Sequence, residues 1–280
     1  MKKKHLKLAL IACAFATTLW SCNQGNSDES ENDTEEVGIG EESGAQEDSD
    51  IQLQPIGHSK AFPDAELHIE SMETEKVGDD SVKLTVKYSV SNFELTEMTD
   101  DENAEHMANS AEGQHIHFIL DNEPYEALYA PEHTVTLALD SEHYLLSFLS
   151  RSFHEAIKTT EASQLVKFKI TEDGKVEELP EPAEESLFYS RPKGEYVGEK
   201  ETKNVLLDFF LENTNLSPDG NKVIAEINGQ EFTIDSWEPH EITGAPLGDL
   251  DVKLTLVDED GNAITGDNVS IERTSQLKED

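Results

Sequence analysis

Cysteine and positive charge are both scarce in this sequence: two cysteines in 280 residues, and 21 basic residues against 60 acidic ones. Cys13 lies in a segment read below as cleaved and Cys22 at its edge, so the remaining chain cannot close an internal disulfide. Its folded part is therefore held by burial alone. The formal charge of −39 repels phosphate backbones and anionic headgroups, which argues against nucleic-acid binding. Long apolar runs are also missing. The N-terminal run over residues 8–19 is shorter than the ~20 residues a bilayer-spanning helix needs. There is no Gly-x-Ser-x-Gly elbow, no nucleotide-binding glycine loop and no free thiol nucleophile after Cys22, and the carboxylates are too numerous for one pair to stand out as acid and base. The chain is expected not to be an enzyme.

What is present begins with an address. Lys2, Lys3, Lys4 and Lys7, the apolar run and then Leu19-Trp20-Ser21-Cys22 follow the order basic, apolar, small residue and cleavage point of a secretory signal. The tetrad resembles a bacterial lipobox, which implies a signal peptide over 1–21 and a lipid on Cys22 at the mature N-terminus. Cleavage leaves 17 of the 21 basic residues against 60 acidic ones, a formal −43. Residues 23–50 hold 11 Asp or Glu and no Lys or Arg, a composition that cannot bury enough surface to offset its ordering entropy. Residues 22–64 are accordingly read as a disordered acidic tether with an r.m.s. reach of ~35 Å. An acidic stretch after a lipidated cysteine also resembles the surface-export signal of Bacteroidota-type lipoproteins. The expected location is the cell envelope, lipid-anchored to the outer membrane and surface-exposed, with the membrane and an envelope protein as partners.

From residue 65 onward the pattern is β. Val82, Leu84, Val86, Tyr88 and Val90 recur at every second position and share one face of a strand. Further strands are expected over 115–121, 134–139, 143–149 and 165–170, with a loop or short helix over 94–111. Prolines and charges mark a linker over 173–185. A second set of strands follows over 205–211, 223–227, 231–234, 252–257 and 269–273, with Asn228-Gly229 and Asp258-Glu259-Asp260-Gly261-Asn262 as hairpin turns. Short strands without helical periodicity point to an all-β chain of two tandem immunoglobulin-like β-sandwich domains, 65–172 and 186–274, with a tail over 275–280. Gly113 and Gly220, Pro131 and Pro239, and Leu139 and Leu247 match at an offset of 107 or 108 residues. The halves thus read as diverged copies of one unit.

Histidines concentrate in the first domain. His115 and His117 stand at i and i+2 of a strand, so both rings leave one face while Ile116, Phe118 and Leu120 leave the other. Such a pair either chelates a metal or joins a hydrogen-bonded network. His143 and His154, at the start and past the end of a later strand, complete the candidate set. Neutral imidazoles suit copper or zinc, and Met107 beside His106 suits the cuprous ion. Arg151 and Lys158, near Ser150 and Ser152, are candidate phosphate ligands. At the positions aligned with the four histidines, the second domain carries Lys222, Ile224, Asp251 and Gly261, so the site is not duplicated.

The run from Gly113 to Asp121, then Thr134-Val135-Thr136-Leu137 and the stretch from Leu139 to Leu146, resembles an uncharacterised His-bearing β domain family of bacterial exported proteins. That resemblance spans residues 110–170 and places His115, His117, His143 and His154 at the family's histidine positions. The stretch from Phe148 to Lys158 resembles exported sequences labelled phosphopeptide-binding proteins. Together these readings predict a lipid-anchored envelope protein that binds a divalent metal or small ligand through a histidine face. The alternatives are a structural or adhesion accessory lipoprotein without metal, and a phosphopeptide-binding module.

Overall fold

The computed structural model describes residues 51–280; the signal, Cys22 and the tether up to residue 50 lie outside the described residues. The first nine strands are β1 (Gln52–Pro55), β2 (Glu66–Val77), β3 (Ser81–Ser91), β4 (His115–Leu120), β5 (Glu126–Leu128), β6 (Glu132–Ala138), β7 (Ser141–Ser150), β8 (Ser163–Ile170) and β9 (Val176–Glu178). They are followed by β10 (Ser186–Arg191), β11 (Glu195–Val197), β12 (Val205–Glu212), β13 (Lys222–Ile227), β14 (Gln230–Ile234), β15 (His240–Thr243), β16 (Gly248–Val257) and β17 (Ser270–Lys278). Sheet β2-β3-β6 faces β5-β4-β7-β8-β9 in the first sandwich, and β1-β15-β12-β10 faces β11-β17-β16-β13-β14 in the second. Both are immunoglobulin-like.

Alternation builds each core. Val82, Leu84, Val86 and Tyr88 of β3 are buried against Ile116 and Phe118 of β4, Leu145 and Leu149 of β7, and Phe168 of β8. The Tyr88 hydroxyl is satisfied inside that core by Ser147 Oγ at 2.8 Å. In the second sandwich, Val205, Leu207, Phe209 and Leu211 of β12 meet Val223, Ala225 and Ile227 of β13 and Val252, Leu254 and Leu256 of β16. The order β2-β3-β6 recurs as β10-β12-β15, and β5-β4-β7-β8 recurs as β14-β13-β16-β17. The halves are thus topological copies, in line with the 107-residue offset.

Three boundaries differ from the sequence reading. Residues 52–55, assigned to the tether, form β1 and pair antiparallel with β15 of the second sandwich. Ile51 is buried in the core of that sandwich, and two apolar residues in so short a segment give little periodic signal. The expected linker contains β9, an edge strand paired with β8. The expected tail belongs to β17, where Ser275 and Leu277 are buried. A serine at the inward position interrupts the apolar alternation there.

The sandwiches also share a core, which tandem modules on a linker do not require. Ile119, Tyr125, Leu146, Phe148 and Ala156 from the first pack on Phe188 and Phe210 from the second. Phe148 stacks on Phe210 with ring centroids 5.0 Å apart, and Phe210 meets Trp237 edge-on. Asn122 ties the backbones together: its Nδ2 donates to Leu187 O at 3.0 Å and its Oδ1 accepts from Tyr189 N at 3.0 Å. All the described residues belong to one compact unit.

This seam predicts one cooperative unfolding transition. Trp237 is the only tryptophan among the described residues, and its fluorescence and far-UV circular dichroism should share one urea midpoint. Phe148→Ala should lower stability by ~3–5 kcal/mol. Two separate wild-type midpoints would show that the sandwiches unfold independently.

Candidate metal centre

Strand β4 sends His115, His117 and Ile119 away from its own core and into the seam. His115 and His117 are fully buried, at 0% exposure. The third member comes from the turn after β7. That turn is closed by the His154 N–H donating to Arg151 O and the Arg151 N–H donating to Glu155 O, both 2.9 Å. His154 sits at φ 72°, a left-handed conformation where glycine is the usual residue and a side chain is strained. Its half-buried ring turns back toward β4.

The three rings converge. His115 Nε2 lies 3.0 Å from His117 Nε2 and 3.1 Å from His154 Nδ1. One ligand atom from each histidine lies within 4.8 Å of the others. His115 Nδ1 is 2.8 Å from Gly113 O, and a carbonyl only accepts, so the ring proton is on Nδ1 and the Nε2 lone pair faces the cluster. Gly113 is required for this placement: it has φ 86°, and a Cβ there would stand 2.4 Å from Thr96 O. His117 Nδ1 reaches Ser190 Oγ of β10 at 3.1 Å, which ties the site to the second sandwich. Partners of this kind on the far ring nitrogen are what orient metal-binding histidines.

Aromatic rings enclose the cluster. Tyr125 stacks on His117 at 3.6 Å and 8°, and its hydroxyl lies 3.2 Å from His154 Nδ1. Phe148 and Tyr129 flank His117 and His115 respectively. Burial lowers the pKa of His115 to about 4, helped by the positive charges of Arg191 and Lys193. His117 and His154 are held well below the ordinary value, again first by burial and then by neighbouring rings and the same two cations. Burial pushes Tyr125 up to about 12, so its phenol stays protonated. At neutral pH the site is therefore three uncharged imidazoles: the His115 Nε2 lone pair accepts hydrogen bonds from His117 Nε2–H and His154 Nδ1–H, and a metal would take their place once those two rings moved their protons to the far nitrogen.

The fourth predicted ligand is elsewhere. His115 pairs with Ser150 across β4 and β7, and His143 is seven residues further along β7, roughly 23 Å at the strand rise. There His143 contacts Asp121 Oδ2 at 2.6 Å and Ser141 Oγ at 2.7 Å. Arg151 and Lys158 are each engaged with an internal carboxylate. Arg151 donates to Lys60 O and Ala156 O and pairs with Glu155 at 3.0 Å. Lys158 pairs with the buried carboxylate of Asp208. Met107 packs with Phe153 and Leu206, while His106 is exposed. Sequence reasoning missed Tyr125, Ser190, Arg191 and Lys193; the last three lie in the other domain, and no spacing rule links them to β4.

No protein-family model and no curated protein matches this chain. Among solved structures, the fibronectin(III)-like modules of Clostridium thermocellum CbhA align at 9% identity over 76% of this chain and 94% of theirs, with a TM-score of 0.26. Dimeric latent PorU from Porphyromonas gingivalis aligns at 11% identity over 86% of this chain and 21% of its own, with a TM-score of 0.25. A bacterial ice-binding adhesin aligns at 10% identity over 77% of this chain and 64% of its own, with a TM-score of 0.19. This chain thus spans about a fifth of the PorU chain and under two thirds of the adhesin. The sandwich architecture stands on the strand pairings themselves.

The depressed histidines give stability a defined pH slope. Between the unfolded value of 6.5 and about 4 for His115, the unfolded chain binds more protons, so this contribution is complete above pH 6.5 and lost as pH falls toward 4. For His115 it amounts to about 3 kcal/mol. Half-buried Glu212, pushed up to about 7 by burial and by Glu181, acts in the opposite sense: its contribution is present below pH 4.5 and lost as pH rises through 7. In a Glu212→Gln background, urea stability measured without metal should fall by at least about 3 kcal/mol from pH 6.5 to 4. Adding His115→Gln should flatten that slope by a similar amount.

Proposed function

We propose that this protein is a non-catalytic binding protein of the cell envelope, anchored through lipid on Cys22, that holds a copper or zinc ion at His115, His117 and His154. The convergence of three neutral imidazoles at 3.0 and 3.1 Å carries the reading. It is supported by the Gly113 carbonyl that sets the His115 tautomer and by the strained backbone that brings His154 in. Borderline metals prefer imidazole nitrogen at ~2.0 Å, and a buried site that organises its ligands beforehand limits the ordering cost of binding. His143 stands apart from this cluster beside Asp121, and Arg151 and Lys158 are held by Glu155 and Asp208.

Thermal unfolding of the mature chain without an affinity tag tests it. At 100 times the dissociation constant a metal adds ~2.7 kcal/mol, expected as a Tm rise of ~5–10 °C for a chain of this size. The rise should persist in His143→Ala and disappear in His154→Gln, whose half-buried position favours folding. Absence of any rise would leave the cluster a hydrogen-bonded network and favour an accessory or adhesion role. The anchor is tested separately. Cys22→Ser should abolish incorporation of labelled palmitate and move the protein out of the membrane fraction.

A further inference from the structure

We infer that the ion selected by this site is monovalent copper, in preference to zinc or cupric copper; the inference rests on the metal-binding reading above. It follows from charge and coordination number. The cluster comprises His115, His117 and His154 alone, with neither thiolate nor carboxylate, so its ligands supply no negative charge to offset that of an ion. The charges that act on all three rings are those of Arg191 and Lys193. Arg191 is buried at 6% exposure and remains charged at any physiological pH. Lys193 lies 4.1 Å from the centre of the Tyr125 ring that stacks on His117. In a chain with 60 acidic residues, this site is a positive enclave. The Coulomb cost of an added ion there scales with its charge, so a divalent ion meets twice the repulsion of a monovalent one.

Coordination number acts in the same direction. Zinc sites take four ligands, and cupric ions favour tetragonal nitrogen and oxygen sets. Three protein nitrogens supply three ligands. A fourth would have to be water or hydroxide, and with His115 and His117 without solvent exposure it could approach only from the side of the half-buried His154. The Tyr125 hydroxyl lies 3.2 Å from His154 Nδ1, where it hydrogen-bonds the ring nitrogen. A cuprous ion has a filled d shell and accepts three neutral nitrogens. With arms of ~2.0 Å, the two short spans at His115 subtend angles of about 100°, and the His117–His154 span, which lies within 4.8 Å, has to be no more than about 4 Å for all three nitrogens to hold one ion.

The test is anaerobic competition of the untagged mature chain with bicinchoninate for Cu(I), and with a fluorescent zinc chelator for Zn(II). One equivalent of Cu(I), bound at least 100-fold more tightly than Zn(II) and released in His154→Gln, is the expected result. Lys193→Gln removes one of the two cations from a half-buried position, and should narrow the Cu(I) to Zn(II) ratio by about tenfold. Arg191→Gln should act in the same direction. Zinc bound as tightly as Cu(I), and lost in His154→Gln, would overturn the cuprous assignment and leave the metal site standing. Neither metal bound would overturn both. A ratio unchanged in Lys193→Gln and Arg191→Gln would overturn the charge argument on which the assignment rests.

Discussion

Strand β4 is covered on both faces, and most of what distinguishes this protein depends on that. Ile116 and Phe118 enter the core of the first sandwich, while His115, His117 and Ile119 enter the seam with the second. Buried aromatic pairs such as Phe148 on Phe210 supply area, and their stacking adds ~0.5–1.5 kcal/mol beyond it. Apolar contact alone is not directional. Register across the seam comes from Asn122 on the backbone of β10 and from Asp208, which accepts the Ala156 N–H at 2.8 Å. Those bonds hold the β10 face against β4, and Ser190 with it.

Burial then decides the chemistry. An imidazole on an open strand face exchanges protons with water near pH 6.5. In the seam, desolvation and two cations keep the rings neutral, and each far nitrogen that meets a polar atom fixes its ring's orientation. The acidic surface plays no electrostatic part comparable to burial and the nearby cations in that balance. The large negative charge belongs to the solvated exterior, where it favours solubility.

Duplication of the fold did not duplicate the site, and the reason is visible in β13. It occupies the place of β4 in the copy, with Lys222 and Ile224 where β4 has His115 and His117. Both are only half-buried, whereas their counterparts in β4 are fully enclosed. The same scaffold without a covering sandwich leaves those positions in contact with solvent, where three neutral imidazoles would gain nothing from being brought together.

Period-two alternation determined the strands of both sandwiches, because a residue's face follows from its parity along a strand. The same parity placed His115 and His117 together. Hairpin chemistry and the matched spacing of the halves made two copies of one unit legible. Weak edges were not: β1, β9 and the end of β17 carry too few apolar residues to register. Which further histidine joins the pair was beyond the chain order, since His143 and His154 both border β7, and only strand register puts one at the cluster and the other at the far end. The seam, with Ser190, Arg191 and Lys193 arriving from a separate sandwich, was decided by tertiary packing. Contacts between distant segments follow from shape complementarity across whole sheets, and no local periodicity encodes them.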